Sequence, residues 1–338
     1  MTNKKYQLSR PMAIGHFSLS RERIYRRDKS ELKFLLMPDS FPLDLKKQYV
    51  KLKEADISPQ YLDNMLYFIR DNKELMLART SKRTIKAKCD IITNSDVLQA
   101  LKCTIYTKRN WRILGTKFLN TNYLCLAEPT HETSQMQKIC QILETKLKLF
   151  LYSDTPKKQY LSSKLDGGHF YRVFQLKMDE LTVVYESPMG ARCYREENSF
   201  TDCKVIPPRY STHEASGISQ SDLELSWWSE CSLNGVEEIR VARPTASGHV
   251  DAIETIRSAS LVTNNSEKWS EEECNNCMIY ILRQICNAMT VNCPDAVYQF
   301  DYDSDSSNLV FKACYERSEN TFISDWYRRI LKERITQQ

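Results

Sequence analysis

Residues 111–129 read WRILGTKFLNTNYLCLAEP, two apolar-rich segments separated by an Asn-containing turn, and the rest of the chain is read outward from them. Residues 130–154, THETSQMQKICQILETKLKLFLYSD, come next. There Met136, Ile139, Cys140, Leu143, Leu147, Phe150 and Leu151 recur at three- and four-residue spacing, which predicts a helix with one apolar face. Thr133 or Ser134 is the expected cap. Three further strand candidates follow: HFYRVFQL from His169, LTVVYES from Leu181 and CKVI from Cys203. Strand, helix, then strands describe a core sheet with a covering helix, and any active site in this part of the fold belongs there.

The remaining segments fit around that core. SPQYLDNMLYFIRDNKELM predicts a helix with Ser58 as cap and Pro59 at its first position. NSDVLQALKCTIY suggests a short helix or a helix-to-strand transition, and residues 1–40 an irregular segment with short extended pieces. SQSDLELSWWSECSLNG is helical in pattern and carries Trp227 and Trp228, which suit either base stacking or a buried helix face. The strongest helix is SEEECNNCMIYILRQICNAM, with Ser270 and Glu273 in a capping-box pattern. AVYQFDYD and NLVFKACYE, joined by a polar turn, predict a hairpin, and WYRRILKERITQQ a basic, partly ordered tail. Helices mixed with hairpins, without regular βα alternation, predict an α+β fold: one domain over 1–338 around a mixed, largely antiparallel sheet flanked by helices.

Composition narrows the class. The 338 residues can bury a large core, and 41% hydrophobic with 27% charged residues is a globular balance. No apolar run approaches the ~18 residues of a membrane span, and the N-terminus lacks a secretory apolar stretch, so an intracellular protein is expected. A net charge of +5 permits a nucleic-acid or phosphorylated partner without demanding one. The twelve cysteines, among them Cys125, Cys140 and Cys314, read as small buried hydrophobes. Cys274 and Cys277 belong to a helical stripe rather than to a zinc site. There is no G-x-x-x-x-G-K-[ST], no G-x-S-x-G and no H-E-x-x-H, and Gly167-Gly168 reads as a turn.

Over residues 10–325 the chain resembles the DXO-like family of decapping exoribonucleases. The resemblance is carried by NWRILGTKFLNTNYLCLAEP with its following helix, PMAIGHFS, LSWWSECSLNGVEEIRVARPTASGHVDAIETI, and CNNCMIYILRQICNAMT with the last hairpin. It implies a decapping-exonuclease-like fold and, in active members, hydrolysis at RNA 5′ ends by carboxylate-held divalent metal. The family pattern has an early arginine, Gly-Φ-x-Φ-Glu on a helix, Glu-x-Asp at a strand end and Glu-Φ-Lys on the adjacent strand, Φ being apolar.

This sequence departs at those places. Asn94 stands for the arginine, Glu144 for the glycine and Lys148 for the helix carboxylate. Pro188 and Gly190 take the paired-acid positions in an ungapped register, although a slide would save Glu186. Ile206 and Pro208 fall at the Glu and Lys positions. An ammonium cannot ligate magnesium, so the resemblance implies a catalytically degenerate homologue needing no cofactor, which binds RNA 5′ ends or serves as an interaction module in RNA metabolism. Lys146, Lys148, Arg192, Arg195, Lys204 and Arg209 are the expected RNA contacts, unless they face solvent or pair with nearby acids. Two alternatives remain: an Mg- or Mn-dependent 5′-end hydrolase built on acids relocated among Asp154, Asp166, Asp179, Glu180, Glu186, Glu196, Glu197 and Asp202, and a protein scaffold. A partner in RNA processing or quality control, and either nucleus or cytoplasm, suit the resemblance.

Overall fold

A computed structural model describes residues 6–46, 62–79, 85–127, 135–156, 168–193, 199–207 and 219–336. Its main feature is a nine-stranded mixed sheet. In spatial order the strands are Asn308–Cys314, Val297–Asp303, Trp111–Phe118, Thr121–Ala127, Ile91–Asn94, Leu181–Pro188, His169–Met178, Met12–Leu19 and Tyr25–Arg26. Only Ile91–Asn94 runs parallel to its neighbours; the other pairings are antiparallel. Leu119 and Asn120, both with positive φ, make the two-residue turn of the central hairpin.

Both faces of this sheet are covered over its central strands, which therefore read as apolar runs instead of alternating with polar residues. Successive side chains enter different cores: Ile91, Ile113, Val183 and Phe174 face one, Ile92, Leu114, Val184 and Val173 the other. The first core is closed by helices Ser95–Cys103, Gln220–Asn234 and Glu271–Ala288, the second by Asp63–Asp71 and Asp325–Thr336. A six-stranded sheet lies beside the first: Tyr152–Ser153, Lys33–Leu35, Ala191–Arg192, Phe200–Val205, Glu238–Ala242 and Ile253–Arg257. Helix Gln135–Leu151 packs on it, burying Leu147 and Leu151 with Cys203, Val205 and Ala242.

Local chemistry explains the helix ends. Ser219 and Asp222 form a reciprocal capping box, and Gly235, at φ 66, supplies the left-handed stop of the same helix. Ser270 caps Glu271–Ala288, but only half of the expected box forms. The Ser270 amide donates to the Tyr106 hydroxyl at 3.1 Å, and that hydroxyl donates to the Glu273 carboxylate. The helix expected from Ser58 begins at Asp63, with Leu62 at its cap and no side-chain cap bond; Ser58, Pro59, Thr133 and Ser134 lie outside the described residues.

Three expectations are corrected, and one open alternative is settled. Residues 12–19 are a full strand of the large sheet, because Phe17 and Leu19 belong to its second core. The basic C-terminal segment is a docked helix: Tyr327 and Leu331 are buried, and the Arg328 guanidinium donates to Asp295 and to the Ile323 and Pro294 carbonyls. Trp227 and Trp228, of their two readings, take the buried helix face, so neither can stack on a base. Above the Trp228 ring, at 4.2 Å, sits the Lys102 ammonium, pushed down to about 8 by its own burial. Cys314 is exposed, while Cys125 and Cys140 are buried as expected.

Candidate functional site

Strand Phe200–Val205 runs parallel to Glu238–Ala242 beneath helix Gln135–Leu151. Its alternation sends Cys203 and Val205 into the small core and turns Lys204 toward Glu230 of the helix Gln220–Asn234. The last turn of the covering helix brings down Lys148, a position where the helix dipole favours a cation. Four charges meet there. Lys148 Nζ lies 2.9 Å from Asp202 Oδ1, Lys204 Nζ 2.9 Å from Asp202 Oδ2, and Lys204 Nζ 2.6 Å from Glu230 Oε2. The Tyr152 hydroxyl and the Cys203 amide also donate to Asp202 Oδ1, at 2.9 and 2.8 Å.

Burial alone would favour the protonated acid at Asp202. Lys148 and Lys204 outweigh it and hold the carboxyl far below the usual range. Burial likewise works against both ammoniums, yet Asp202 holds each above its ordinary value. Glu144, one turn before Lys148, accepts from the Val205 amide at 3.4 Å; desolvation raises its pKa, and Lys204 and Lys148 pull against that rise.

The second carboxyl of the region behaves differently. Glu186, near the end of strand Leu181–Pro188, is opposite Asn94 in the parallel register. It is 7% exposed and its Oε2 has no hydrogen-bond partner. Burial pushes its pKa up to about 8, Asp96 adds to the rise and Arg23 opposes it. The next residue, Ser187, is tied to Ser95 and Asn234 at 2.9 and 2.5 Å.

The sequence-derived positions can now be placed. Asn94 is the cap of helix Ser95–Cys103, accepting from the Val97 amide at 3.1 Å. Pro188 ends its strand. Gly190 is packed so closely that a Cβ there would come within 2.2 Å of the Thr201 carbonyl oxygen, which leaves no room for a carboxylate. Lys146 is two residues from Lys148 on the helix and therefore points to a different face, away from Asp202. Arg192, in a two-residue strand, has a buried Nε without a partner. Arg195, Pro208, Arg209, Asp166, Glu196 and Glu197 lie outside the described residues.

A second register carries the spacing. The acid–apolar–lysine spacing is carried by Asp202-Cys203-Lys204, four residues before Ile206 and Pro208 (206 − 202 and 208 − 204). Ile206 follows the last strand residue, Val205, because Pro207 cannot extend the ladder. The pattern D-C-K was visible in the sequence and could have given this register. Glu230 carried no local signal, since it comes from a helix 26 residues beyond Lys204.

A divalent cation does not fit this corner. Both oxygens of Asp202 are taken by ammoniums, and among the described residues no group of three or more His, Cys, Asp or Glu side chains could hold a metal ion. The surroundings are nonetheless positive. His169, though open to solvent, is pushed down to about 4 by desolvation and then by Lys148, Arg23 and Lys33. His16 is lowered by burial, Lys29 and Arg172, and the Arg172 guanidinium lies over the Phe200 and Phe174 rings at 5.1 and 5.5 Å.

Residues 9–328 match the family described as RAI1-like PD-(D/E)XK nuclease. Among curated proteins, the chain is 24% identical to Protein cutoff of Drosophila melanogaster, over 96% of this chain and 89% of that one. It is 22% identical to the decapping and exoribonuclease protein Rai1 of the same fly, over 97% and 92%. Among solved structures, Scheffersomyces stipitis Rai1 superposes with a TM-score of 0.77 at 10% identity, covering 98% and 95% of the two chains. Candida albicans Rai1, solved in complex with pU5 and Mn2+, superposes at 0.75 and 12% identity, covering 98% and 97%.

Proposed function

The chain belongs to the RAI1-like PD-(D/E)XK nuclease family, and on that premise we propose that it is a catalytically degenerate member that binds RNA 5′ ends without hydrolysing them. One observation carries this reading: Lys148 and Lys204 occupy both oxygens of Asp202, so two fixed ammoniums supply the double positive charge that a divalent cation would bring. Such a corner loses the metal-activated water of a hydrolase but keeps a cationic surface for phosphate. Lys148 suits phosphate best. Its side chain is 30% exposed, and of its three N–H donors one faces Asp202. His169 stays neutral at physiological pH and can offer a hydrogen bond beside it.

We place the protein inside the cell, in nucleus or cytoplasm, with RNA processing or quality control as its setting. A protein-interaction role has separate support in the apolar strand Asn308–Cys314 at the sheet edge.

The test uses the purified protein with 5′-phosphorylated and capped RNAs. Binding that weakens with salt, without product in Mg2+ or Mn2+, supports the reading. Metal-dependent product that disappears in Asp202→Asn or Glu186→Gln sinks it.

A further inference from the structure

A charge taken out of water is normally paired with an opposite one. Arg172, half-buried on strand His169–Met178, departs from that rule: it has no ion pair and no hydrogen bond among the described residues. Its guanidinium lies over the Phe200 and Phe174 rings instead. Burial is the one cause acting on its pKa, which it lowers.

The small sheet places a second guanidinium beside the same ring. Arg192 stands opposite Phe200 in the antiparallel register, so the two side chains share a face, and the Arg192 Nε is buried without a partner. On the large sheet His16 stands opposite Arg172; burial, Lys29 and Arg172 lower its pKa, and Asp28 opposes them. The acids of the adjoining loop are already engaged. Asp28 Oδ1 accepts from the Ser30 amide and hydroxyl at 3.0 and 2.8 Å, and Glu31 lies 3.8 Å from Lys33 Nζ. Two unneutralised arginines thus meet at Phe200, one from each sheet.

Their place in the fold ties them to the Asp202 corner. Phe200, Asp202 and Lys204 alternate onto one face of their strand, so Phe200 is two residues, or roughly 7 Å, from Asp202. We propose that Arg172 and Arg192 form a second phosphate site, which takes a phosphodiester of the RNA backbone beyond the 5′ phosphate at Lys148. RNA as the source of that phosphate rests on the RNA-end reading above; the chemistry of the site does not. Two poorly hydrated guanidiniums offer paired N–H donors to one tetrahedral anion, the geometry in which arginine binds phosphate best.

The test compares 5′-phosphorylated decauridine with uridine 5′-monophosphate, which has no phosphodiester, on the purified protein. Arg172→Gln and Arg192→Gln should each weaken decauridine binding about 3–10-fold and lower the slope of log affinity against log salt by about one. Neither should change monophosphate binding, whereas Lys148→Glu weakens both ligands. The double variant should lose less than the product of the single losses, since both arginines hold one phosphate. Circular dichroism of each variant should match the parent, and Arg172→Lys, which keeps the charge, should keep the salt slope. Decauridine binding at the parent's level in both glutamine variants overturns the proposal, as does an equal loss for the two ligands. So does a decaglutamate peptide held through these arginines with decauridine unaffected, which would make the partner an acidic protein. If the parent binds neither uridine ligand, the RNA-end reading fails by itself, and inorganic phosphate then reads the site. At matched ionic strength it should raise the melting temperature of Lys148→Glu, but not of that variant with both glutamines added. No shift in the first, or a shift that survives in the second, overturns the site.

Discussion

Asp202 and Glu186 are buried almost equally, at 8% and 7% exposure, yet they hold opposite charge states. Asp202 receives two ammoniums, a hydroxyl and a backbone amide, and is held ionised far below the usual range. Glu186 has an unpartnered oxygen, with Asp96 adding repulsion, and keeps its proton up to about 8. Burial is therefore not what decides ionisation here; the donors each neighbouring element supplies decide it. Of these two acids, only Asp202 receives the charge of the lysines.

The largest expected effect comes from removing the paired acid. Asp202→Ala leaves Lys148 without its ion-pair acceptor and Lys204 with Glu230 alone, and should cost about 3–5 kcal/mol in urea unfolding. In the parent, the depressed carboxyl means the native state binds fewer protons than the unfolded chain. The stability it contributes is thus present above the ordinary pKa of 3.8 and lost only as pH falls below it. A neutral melt within 1 kcal/mol of the parent would show that Asp202 is not the hub.

Glu186→Gln should act in the opposite direction. Between 4.5 and about 8 native Glu186 retains a proton that the unfolded chain has lost, so the parent loses stability as pH rises through that window. The variant has no such loss. Its advantage should be absent at pH 4, grow to roughly 1–3 kcal/mol near pH 8 and then level off. Equal melting curves for parent and variant at pH 5 and pH 8.5 would break the contrast with Asp202.

Lys148→Glu sets a third acid beside Asp202 and Glu144. RNA binding should weaken about 3–10-fold, with the slope of log affinity against log salt falling by about one. Unchanged binding would remove Lys148 from the RNA surface. The smallest effect is expected from Asn94→Asp. Aspartate caps a helix as well as asparagine, so stability at pH 6 should change by less than ~0.5 kcal/mol. Its charge, opposite Glu186 in the register, should move the alkaline step of the pH–stability curve upward.

Much of the fold was legible because its signals are local and periodic. The apolar stripe of residues 135–151, the Asn-containing turn at 119–120 and the last hairpin were readable from spacing alone. The strand at 12–19 was less legible, since MAIGHFSL owes its order to pairing with His169–Met178, at least 150 residues away. At the site, Lys148 was visible as a basic residue in place of a carboxylate. Asp202-Cys203-Lys204, an acid–apolar–lysine run four residues before Ile206 and Pro208, was not singled out, and Arg195 and Arg209 lie beyond the described residues.

The order of residues alone determined the α+β elements, the family likeness and the presence of Lys148 and Pro188 where the resemblance expects acids, all of which depend on residue type at a given spacing. Only the tertiary structure decided what replaced them. Lys148 from a helix, Asp202 and Lys204 from a strand and Glu230 from a second helix become one ion-paired cluster when those elements pack, while Glu186, on another sheet, is left protonated. Charge pairing strengthens as charges approach and as water is excluded from between them, and in this chain that proximity and burial exist only after folding.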